Sequence, residues 1–324
     1  MADPDPSFWR DRPVTVTGGA GFLGRAVVRT LEDLGATRVK VVRVSEHDLR
    51  DADACRAALE GAEVVLHLAA RVGGIGFITR NPVAAVYDNL IMGANVFEAS
   101  RLAGVRKLVC ACSACAYPRR TPVPFRERDL WNGHPDEATA PYGETKRALI
   151  VLSDSYRRQY GLDSCAPILT NLYGPGDNYD LEDSHVVAAM IRKFTEAAER
   201  GDPSVVLWGT GTPTRELLYV DDAARALLLA AERLETSEPV NVGTGRPTSI
   251  RELAEMIREI SGFGGEIVWD DARPDGTPER YLDVTRAREM LGFEAQVPLE
   301  DGLRRALDAY RSAPAEDPRV TAGP

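Results

Sequence analysis

One glycine-rich turn near the start of the chain restricts its possible folds more than any other feature. The turn reads Thr17-Gly-Gly-Ala-Gly-Phe-Leu-Gly24, and it joins an apolar stretch, Pro13–Thr17, to a segment with helical spacing of apolar residues, Phe22–Leu34. Its last three glycines satisfy G-x-G-x-x-G, a spacing that permits a tight turn and close packing of a helix on a strand. Turns of this kind bind phosphate through backbone amides. The sequence therefore predicts a dinucleotide-binding unit at the start of the chain.

Apolar strands and helices alternate through the first half of the chain. The predicted strands after the first are Arg38–Val44, Val64–Ala70, Lys107–Cys112 and Ser164–Leu172. The predicted helices between them are Asp51–Glu60, Pro82–Ala103 and Tyr142–Tyr160. Nearly continuous apolar strands separated by helices indicate a parallel sheet covered on both faces. We therefore predict the α/β class, a Rossmann doubly wound parallel sheet that binds its ligands beyond the carboxyl ends of the strands.

The pattern changes after Asn171, where Gly174-Pro175-Gly176 interrupts it. Beyond this break the sequence predicts helices over His185–Arg200, Asp221–Leu234 and Ser249–Ile260, and strands over Val205–Trp208, Glu216–Val220 and Pro239–Val242. We predict a dinucleotide-binding Rossmann domain over residues 11–174, to which residues 217–245 return, and a smaller mixed α/β substrate-binding domain over residues 175–216 and 246–312. Residues 1–10 and 313–324 are predicted to be loose ends.

The composition is that of an ordinary globular protein, with 44% apolar and 27% charged residues among 324. The formal net charge of −10 argues against nucleic acid or an anionic membrane as a partner, and it requires a locally basic site if the substrate is an anion. Residues 1–12 lack the apolar core of a signal peptide, and no apolar run approaches the roughly 20 residues of a membrane helix. Five cysteines, an odd number without pairing logic, indicate a reduced, cytoplasmic protein.

The tip of the second strand bears on the choice between NAD and NADP. It reads Val42-Arg43-Val44-Ser45, without the acidic residue that would bind the ribose hydroxyl of NAD. Arg43 and Ser45 suit a 2′-phosphate and favour NADP(H), although Glu46 nearby keeps NAD(H) open. Asp48 and Leu49 are placed near the adenine by position alone. The predicted cofactor-binding residues are Gly18, Gly21, Phe22, Leu23, Gly24, Arg43, Ser45, Asp48, Leu49, Leu68, Ala69, Ala70, Tyr142 and Lys146.

A serine, a tyrosine and a lysine are the candidates for chemistry on a carbonyl group. Tyr142 and Lys146 are four residues apart on a predicted helix, so they share one face. An ammonium beside a phenol should lower the pKa of Tyr142, which can then exchange a proton with a carbonyl oxygen while hydride moves at carbon. Ser113, at the end of the fourth strand, is placed to hydrogen-bond the same oxygen. A Tyr-x-x-x-Lys pair alone is common on helices, but the glycine turn and Ser113 favour the functional interpretation.

Six further stretches carry a resemblance to a known family. They lie at residues 67–75, 113–118, 171–175, 184–186, 208–216 and 274–278. Through them the chain resembles the extended short-chain dehydrogenase/reductases of the NAD-dependent epimerase/dehydratase family over nearly its whole length, and within that family the GDP-L-fucose synthase branch. The resemblance implies an NADP(H)-dependent enzyme that inverts C3 and C5 of a nucleotide-diphosphate 4-keto-6-deoxyhexose and then reduces the C4 ketone, with Tyr142 as proton donor.

Other functions stay open at this point. The alternatives are a 4-ketoreductase of a dTDP-4-keto-6-deoxy sugar in natural-product biosynthesis and a nucleotide-sugar 3,5-epimerase without reductase activity. A non-enzymatic dinucleotide sensor is a third reading, but a sensor has no need of Ser113, Tyr142 and Lys146. The resemblance also implies a homodimer in which the helices Pro82–Ala103 and Tyr142–Tyr160 pack against their partners.

By the same resemblance, Cys115 and His185 perform the epimerisation. A C4 ketone acidifies the protons on C3 and C5, so Cys115 would remove a proton from one face as the base and His185 would return one to the other face as the acid. A thiol must be ionised to act as a base, so Cys115 needs an activating environment. The alternatives are a buried, inert cysteine and a helix-capping or surface histidine. The Cys110-x-Cys112-x-x-Cys115 spacing lacks a second ligand cluster, so no metal is predicted.

A nucleotide-diphosphate substrate needs cationic side chains for its phosphates. The resemblance assigns substrate binding to Asn171, Lys193, Trp208, Arg215 and Arg280, with solvated surface charges as the alternative for the arginines. Ala20 stands where fucose synthases can carry an arginine for the NADP phosphate, which weighs against NADP(H). Residues 73–76 are predicted to let the backbone pass close to the nicotinamide or the sugar, with a plain flexible loop as the alternative. The nucleotide base, whether of GDP, dTDP, UDP or CDP, stays open.

Overall fold

The computed structural model describes residues 2–273 and 275–313, and most of its strand pairs are parallel. The strands are β1 (Val14–Thr17), β2 (Val39–Val42), β3 (Val64–His67), β4 (Lys107–Cys110), β5 (Cys112–Ser113), β6 (Ser164–Cys165), β7 (Pro167–Leu169), β8 (Asn171–Tyr173), β9 (Ser204–Trp208), β10 (Thr214–Tyr219), β11 (Val240–Val242), β12 (Pro247–Ser249), β13 (Glu266–Asp270) and β14 (Glu279–Arg280). The helices are α1 (Pro6–Trp9), α2 (Phe22–Asp33), α3 (Ala52–Leu59), α4 (Ile75–Arg80), α5 (Asn89–Leu102), α6 (Ala140–Tyr160), α7 (Val186–Arg200), α8 (Val220–Arg233), α9 (Ile250–Ser261) and α10 (Leu299–Ser312).

One parallel sheet organises the first half of the chain. Its strand order is β2-β1-β3-β4-β6, and a second parallel set, β5-β7-β11, continues it because β5 follows β4 and β7 follows β6 directly along the chain. The strand order reverses between β1 and β3, which is the point where doubly wound sheets bind their ligands. The predicted α/β class with a doubly wound parallel sheet is confirmed.

Helices cover both faces of the sheet because its strands are apolar on both sides. All residues of β1, β3 and β4 are buried. On one face α2 packs against α8, a helix that is buried along most of its length. On the other face α3, α5 and α6 enclose a second core with Phe97, Leu108 and Ile150. The glycine turn and the strand ends therefore lie on a rigid support.

A third apolar core belongs to the second part of the chain, where α7, α9 and α10 contribute side chains such as Ile191, Ile257 and Leu303.

The sequence prediction assigns residues 282–293 to the smaller domain, but in the structure this segment packs on the first domain. Leu282 lies in the core under α3, α5 and α6, and Phe293 packs with the core of α8. The backbone amide of Phe125 donates to the carbonyl of residue 281, and the amide of residue 283 donates back to Phe125, so this crossing segment is held on the first domain.

Residues 2–10 pack on the rest of the protein, so the predicted loose end is wrong for this part of the chain. Asp5 caps α1 by accepting from the amide of Ser7 at 2.8 Å. Trp9 is fully buried, and its indole Nε1 donates to the Glu232 side chain of α8 at 2.5 Å. Burial of a large aromatic ring therefore ties this segment to the core. Most of the other predicted loose end, from residue 314 onward, and Pro274 of one matching stretch lie outside the described residues.

Several elements differ in detail from the sequence prediction. The helix predicted over Pro82–Ala103 contains one turn of π-helix, Ala84–Asp88, before α5. The short elements α4 and β13 were not predicted, because short segments next to glycine and proline resemble loops. The 14-residue helix α10 was also missed. Within the described part of the chain, no helix is both long and apolar enough to cross a membrane.

The packing of Trp9 predicts a large stability effect at the N-terminus. Trp9→Ala should lower the free energy of unfolding by about 3–5 kcal/mol, because it leaves a cavity and removes the donor to Glu232. Urea-induced unfolding measures this. The matched control is Trp131→Ala, since Trp131 is 52% exposed, and it should cost less than about 1 kcal/mol. Equal, small effects of both substitutions would contradict the packing described here.

Candidate active site

A single cleft of about 2060 Å³ opens beyond the carboxyl ends of the central strands. Every residue that the sequence analysis proposes for catalysis or binding lines it. These are Gly18, Gly21, Phe22, Leu23, Gly24, Arg43, Ser45, Asp48, Leu49, Leu68, Ala69, Ala70, Ser113, Cys115, Tyr142, Lys146, Asn171, His185, Lys193, Trp208, Arg215 and Arg280. Lysine and arginine side chains outnumber aspartate and glutamate in the lining, so the cleft is basic although the protein is acidic. The roles of the individual residues stay predictions.

The glycine turn forms a cradle with room for a phosphate group. Gly18 has a φ of +70°, and a Cβ atom there would lie 2.7 Å from the backbone nitrogen of Ala69. A Cβ atom on Gly24 would overlap the carbonyl oxygen of Gly18. Helix α2 begins at Gly21 without a side-chain cap and without an acidic residue in its first turn. Its first amides are therefore open to an anion, and the residues present fit the pyrophosphate of a dinucleotide.

A buried polar pair fixes the strands beneath this cradle. Thr17 Oγ1 lies 2.8 Å from His67 Nδ1 and accepts from the Ala69 amide at 3.3 Å. Burial, with a smaller effect of the Lys146 charge, lowers the pKa of His67 to about 3. The imidazole is therefore neutral at physiological pH and acts as a structural hydrogen-bonding group between the ends of β1 and β3.

The end of the cleft near β2 contains a cation that the sequence analysis missed. Arg50 lines the cleft and forms ion pairs with Asp48 at 2.7 Å and with Asp88 at 3.3 Å. Hydrogen bonds from Arg50 lower the pKa of Asp48. Asp88 belongs to the π turn before α5, so only the tertiary structure brings this pair together. Arg43 and Ser45 line the same region.

Tyr142 and Lys146 lie on the first turns of α6, which has Pro141 at its start. Lys146 Nζ donates to the carbonyl oxygen of Ala111 at 2.8 Å and lies 5.2 Å from the centre of the Tyr142 ring. The pKa of Tyr142 is raised, which corrects the expectation that the ammonium would lower it. Burial of the ring is the larger effect, and Lys146 offsets it only in part. Tyr142 is therefore a neutral phenol that is able to donate a proton.

All five cysteines are free, and Cys115 differs from the other four because those four are buried. Burial raises the pKa of Cys112 and Cys165 to about 12, so these thiols are inert. Cys115 is partly exposed and lines the cleft. Its amide donates to Ser113 Oγ at 3.2 Å, and Gly143 of α6 allows the Cys115 carbonyl to pack against the helix where a Cβ atom would collide. The serine and the cysteine are thus held beside the helix of Tyr142.

His185 is exposed at the start of α7, without a side-chain hydrogen bond that caps the helix. The glycine segment 73–76 supports the loop that leads to it. Gly74 donates its amide to the carbonyl oxygen of Asp183 at 2.7 Å, and a Cβ atom on Gly76 would overlap the carbonyl oxygen of Glu182. This segment also lines the cleft, and its close approach to the nicotinamide or the sugar stays a prediction.

Two arginines lie side by side on neighbouring strands. Arg215 of β10 is in register with Arg280 of β14. Arg215 Nη1 donates to the carbonyl oxygen of Thr277 at 2.8 Å, and Arg280 Nη2 donates to that of Ala114 at 3.1 Å. Burial and the neighbouring Arg280 charge lower the pKa of Arg215 to about 10. A pair of cations that disfavour each other in this way suits a ligand with two negative charges.

Aromatic and polar groups flank the arginine pair. Trp208 is 63% exposed, and the guanidinium of Arg273, which the sequence analysis missed, stacks 4.2 Å from its ring centre. Lys193 Nζ lies 5.9 Å from the same ring, and burial and Arg273 lower its pKa. Asn171 Nδ2 donates to the carbonyl oxygen of Glu216 at 3.1 Å. The exposed indole offers a stacking surface for a sugar or a base.

Comparison with known proteins identifies the family of the chain. The model of the NAD dependent epimerase/dehydratase family matches residues 14–243. A probable GDP-L-fucose synthase 1 from Oryza sativa subsp. japonica is 42% identical over 315 residues, which cover 95% of both chains. The resemblance stated from the sequence motifs is therefore confirmed.

Two solved structures of similar shape are named as enzymes of GDP-linked sugars. A GDP-6-OMe-4-keto-L-xylo-heptose reductase from C. jejuni has a TM-score of 0.88 at 27% identity, with 96% of this chain and 99% of that chain covered. A GDP-L-fucose synthetase from Naegleria fowleri bound to NADP has a TM-score of 0.84 at 29% identity, with 93% and 94% covered. Both agree with the observed fold over nearly the whole chain.

The buried His67 predicts how stability depends on pH. Its pKa is about 3 in the folded protein against 6.5 for an exposed imidazole, so between these values only the unfolded chain takes up the proton. The contribution of the neutral His67 imidazole to the free energy of unfolding is therefore fully present above pH 6.5. It falls as the pH drops, by about 2 kcal/mol between pH 8 and pH 5. Urea unfolding at both pH values should show a loss that is smaller by this amount in His67→Gln. His134→Gln, at an exposed histidine, should keep the full loss, and an equal loss in all three proteins would contradict the assignment.

Proposed function

The chain belongs to the NAD dependent epimerase/dehydratase family, and on that basis we propose that it is an NADP(H)-dependent epimerase/reductase of a GDP-linked 4-keto-6-deoxyhexose, a GDP-L-fucose synthase. The observation that carries the proposal is the meeting of two sets of groups in one cleft. Ser113, Tyr142 and Lys146 suit reduction of a ketone, and Cys115 and His185 suit inversion of the neighbouring carbons.

Inversion needs a base and an acid that approach the sugar ring from different sides. A ketone at C4 acidifies the hydrogens on C3 and C5, and loss of a proton gives an enolate that can be reprotonated on the other face. Cys115 reaches the cleft from the turn after β5, and His185 reaches it from the start of α7. Their placement on separate elements supports the roles of Cys115 as the base and His185 as the acid.

Reduction of the ketone needs a proton at oxygen and a hydride at carbon. When bound, the nicotinamide cofactor supplies the hydride to C4. Tyr142 is a phenol at neutral pH, so it holds the proton that the C4 oxygen needs. Lys146, held by the Ala111 carbonyl, places a positive charge beside the tyrosinate that this transfer leaves. Ser113 accepts from the Cys115 amide, which leaves its hydroxyl hydrogen for the ketone oxygen.

The substrate and the cofactor would be bound by separate groups of residues. Arg215 and Arg280 would bind the substrate diphosphate, with Lys193, Trp208 and Asn171 around it. The glycine cradle would bind the cofactor pyrophosphate, and Arg43 and Ser45 would bind the 2′-phosphate of NADP(H). The NADP bound to the Naegleria fowleri structure supports this choice, and the names of the relatives support GDP as the nucleotide.

A second candidate function is reduction of the C4 ketone alone. The fold match to a reductase of a GDP-linked 4-keto heptose favours it. The partly exposed Cys115 beside Tyr142 favours the bifunctional enzyme, because a pure reductase needs no thiol in that position. The two functions differ in whether hydrogens on C3 and C5 exchange with solvent.

Two substitutions should separate the two half-reactions. Cys115→Ser should lower deuterium uptake from heavy water at C3 and C5 by at least about 100-fold, because it removes the base. NADPH oxidation with a substrate that is already epimerised should stay within about tenfold of wild type. Tyr142→Phe should give the opposite pattern, because it removes the proton donor for the ketone oxygen. Proton NMR follows the exchange, and NADPH absorbance follows the reduction.

Matched controls make this separation decisive. Cys55→Ala changes a buried cysteine outside the cleft lining, and Tyr160→Phe changes an exposed tyrosine at the other end of α6. Both should leave the two half-reactions near wild type. Unchanged deuterium uptake in Cys115→Ser would refute the base assignment and favour the reductase. Unchanged reduction in Tyr142→Phe would refute the proton donor.

We also propose a cytoplasmic homodimer that works in deoxysugar biosynthesis. Five free cysteines support a reducing compartment. The π turn, α5 and α6, which pack together, carry exposed apolar side chains, among them Tyr87, Leu90, Val151 and Tyr160. Exposed apolar side chains on neighbouring elements are typical of interaction surfaces.

The dimer proposal predicts a change of mass on substitution. The double variant Tyr87→Arg with Val151→Arg should run as a 35.3 kDa monomer in light scattering, whereas the wild type should have twice that mass, because charges in an apolar interface oppose association. Val206→Arg, at an exposed apolar residue of β9, is the control and should remain dimeric. A monomeric wild type would contradict the proposal.

A further inference from the structure

Arg147 is a buried arginine that the proposed chemistry leaves without a role. It follows Lys146 on α6, is only 7% exposed and does not line the cleft. Its Nε donates to the carbonyl oxygen of Ala116 at 2.7 Å, and its Nη2 donates to the carbonyl oxygens of Leu130 at 2.7 Å and Gly133 at 2.8 Å. Burial of a cationic side chain is costly unless it is hydrogen-bonded, so this set of contacts requires a physical explanation.

The first of these carbonyls belongs to the turn that carries the candidate base. Ala116 directly follows Cys115 and ends the turn. The carbonyl of Ala114, at the other end of the turn, accepts from Arg280 at 3.1 Å, and the proposed function assigns that arginine to the substrate. Arg147 therefore holds the turn from the side that faces away from the ligands.

One helix holds both halves of the candidate site. Gly143 and Arg147 are four residues apart on α6, so they share a face, and Gly143 lets the Cys115 carbonyl pack directly on the helix. Tyr142 and Lys146, each one residue earlier, share the neighbouring face. The turn of the candidate base is thus fixed to the same helix that carries the candidate proton donor.

The segment between this turn and α6 also has anchors that do not involve Arg147. The Tyr117 hydroxyl donates to Asn241 Oδ1 at 2.7 Å, and Asn241 Nδ2 donates to the carbonyl oxygen of Phe125 at 2.8 Å. Loss of the Arg147 contacts should therefore loosen the turn locally while the rest of the segment stays in place. A guanidinium suits the three carbonyls because its donors form a planar, fixed fork, which an ammonium does not provide.

We propose that Arg147 is a positioning residue that holds Cys115 at a fixed place relative to Tyr142, so that one bound sugar can undergo both half-reactions. It acts through the Ala116 carbonyl and is not itself a catalytic group. The inference rests on the proposed function, because it requires Cys115 as the base and Tyr142 as the proton donor. Without the Arg147 contacts the thiol would lose its fixed place, whereas the tyrosine, as part of the helix, would keep its own.

The direct test is alkylation of the cysteines by iodoacetamide in the full-length protein without substrate, followed by mass spectrometry. Cys115 is the one partly exposed cysteine, so it should react before the four buried ones. Arg147→Met keeps the length of the side chain but removes its donors. It should make alkylation of Cys115 faster by about tenfold or more, because the loss of buried hydrogen bonds favours local opening of the turn. Cys165 should stay protected, since local opening leaves the core closed.

Two further variants complete this test. Arg158→Met is the matched control, because Arg158 lies on the same helix with a side chain that is 80% exposed, and alkylation of Cys115 should stay within about twofold of wild type. Arg147→Lys keeps the charge and should fall between wild type and Arg147→Met, and it carries the same test if the methionine variant does not fold. An unchanged rate at Cys115 would overturn the proposal. Equal acceleration at Cys115 and Cys165 would also overturn it, because Arg147 would then only stabilise the fold.

Kinetics provide the second readout. Arg147→Met should lower the kcat of deuterium uptake at C3 and C5 about tenfold or more while the KM for the sugar nucleotide stays within about threefold, because the thiol is displaced and the binding groups are unchanged. NADPH oxidation with an epimerised substrate should also stay within about threefold of wild type. Equal losses in both half-reactions would overturn the proposal. Absence of deuterium uptake in the wild type would instead refute the proposed function, and the alkylation rates would still decide whether Arg147 holds the turn.

Discussion

The close backbone contact between Gly18 and Ala69 is the constraint on which the site depends. A side chain at Gly18 or Gly24 would collide with neighbouring backbone atoms, so glycine at both positions lets α2 pack close to the end of the sheet. The first amides of α2 have no side-chain cap and stay open there. The Thr17–His67 pair fixes β1 and β3 at the separation that this contact requires. Beyond β3 the same chain continues into the glycine segment that supports the loop of His185, so the phosphate cradle and the candidate acid are mechanically linked.

The charge of the cleft lining is opposite in sign to the net charge of the protein. The protein carries a formal charge of −10, yet lysine and arginine side chains outnumber aspartate and glutamate in the lining of the cleft. Some of these cations are neutralised within the protein, as Arg50 is by Asp48 and Asp88. Arg215 and Arg280 instead lie in register on neighbouring strands, and burial lowers the pKa of Arg215, an effect to which repulsion from the Arg280 charge adds. A bound diphosphate would relieve that repulsion, which is a physical reason for the preference of this end of the cleft for a dianion.

Local patterns in the sequence were sufficient to predict the sheet, the glycine turn and a set of candidate site residues that all line the cleft, although they missed Arg50 and Arg273. The predictions that failed concern long-range packing or the balance of opposing effects. Trp9 is ordered because its indole reaches Glu232, more than two hundred residues away in sequence. The raised pKa of Tyr142 reflects burial that no spacing rule contains.

The central claim is that one cleft carries out both proton exchange next to the ketone and reduction of the ketone. The most direct measurement is the position of deuterium in the product that the wild-type enzyme forms from a GDP-linked 4-keto-6-deoxyhexose and unlabelled NADPH in heavy water. Our account predicts deuterium on both C3 and C5 and ordinary hydrogen from the cofactor on C4. A reduced product without deuterium on C3 and C5, or the absence of any product with either GDP or dTDP substrates, would contradict it.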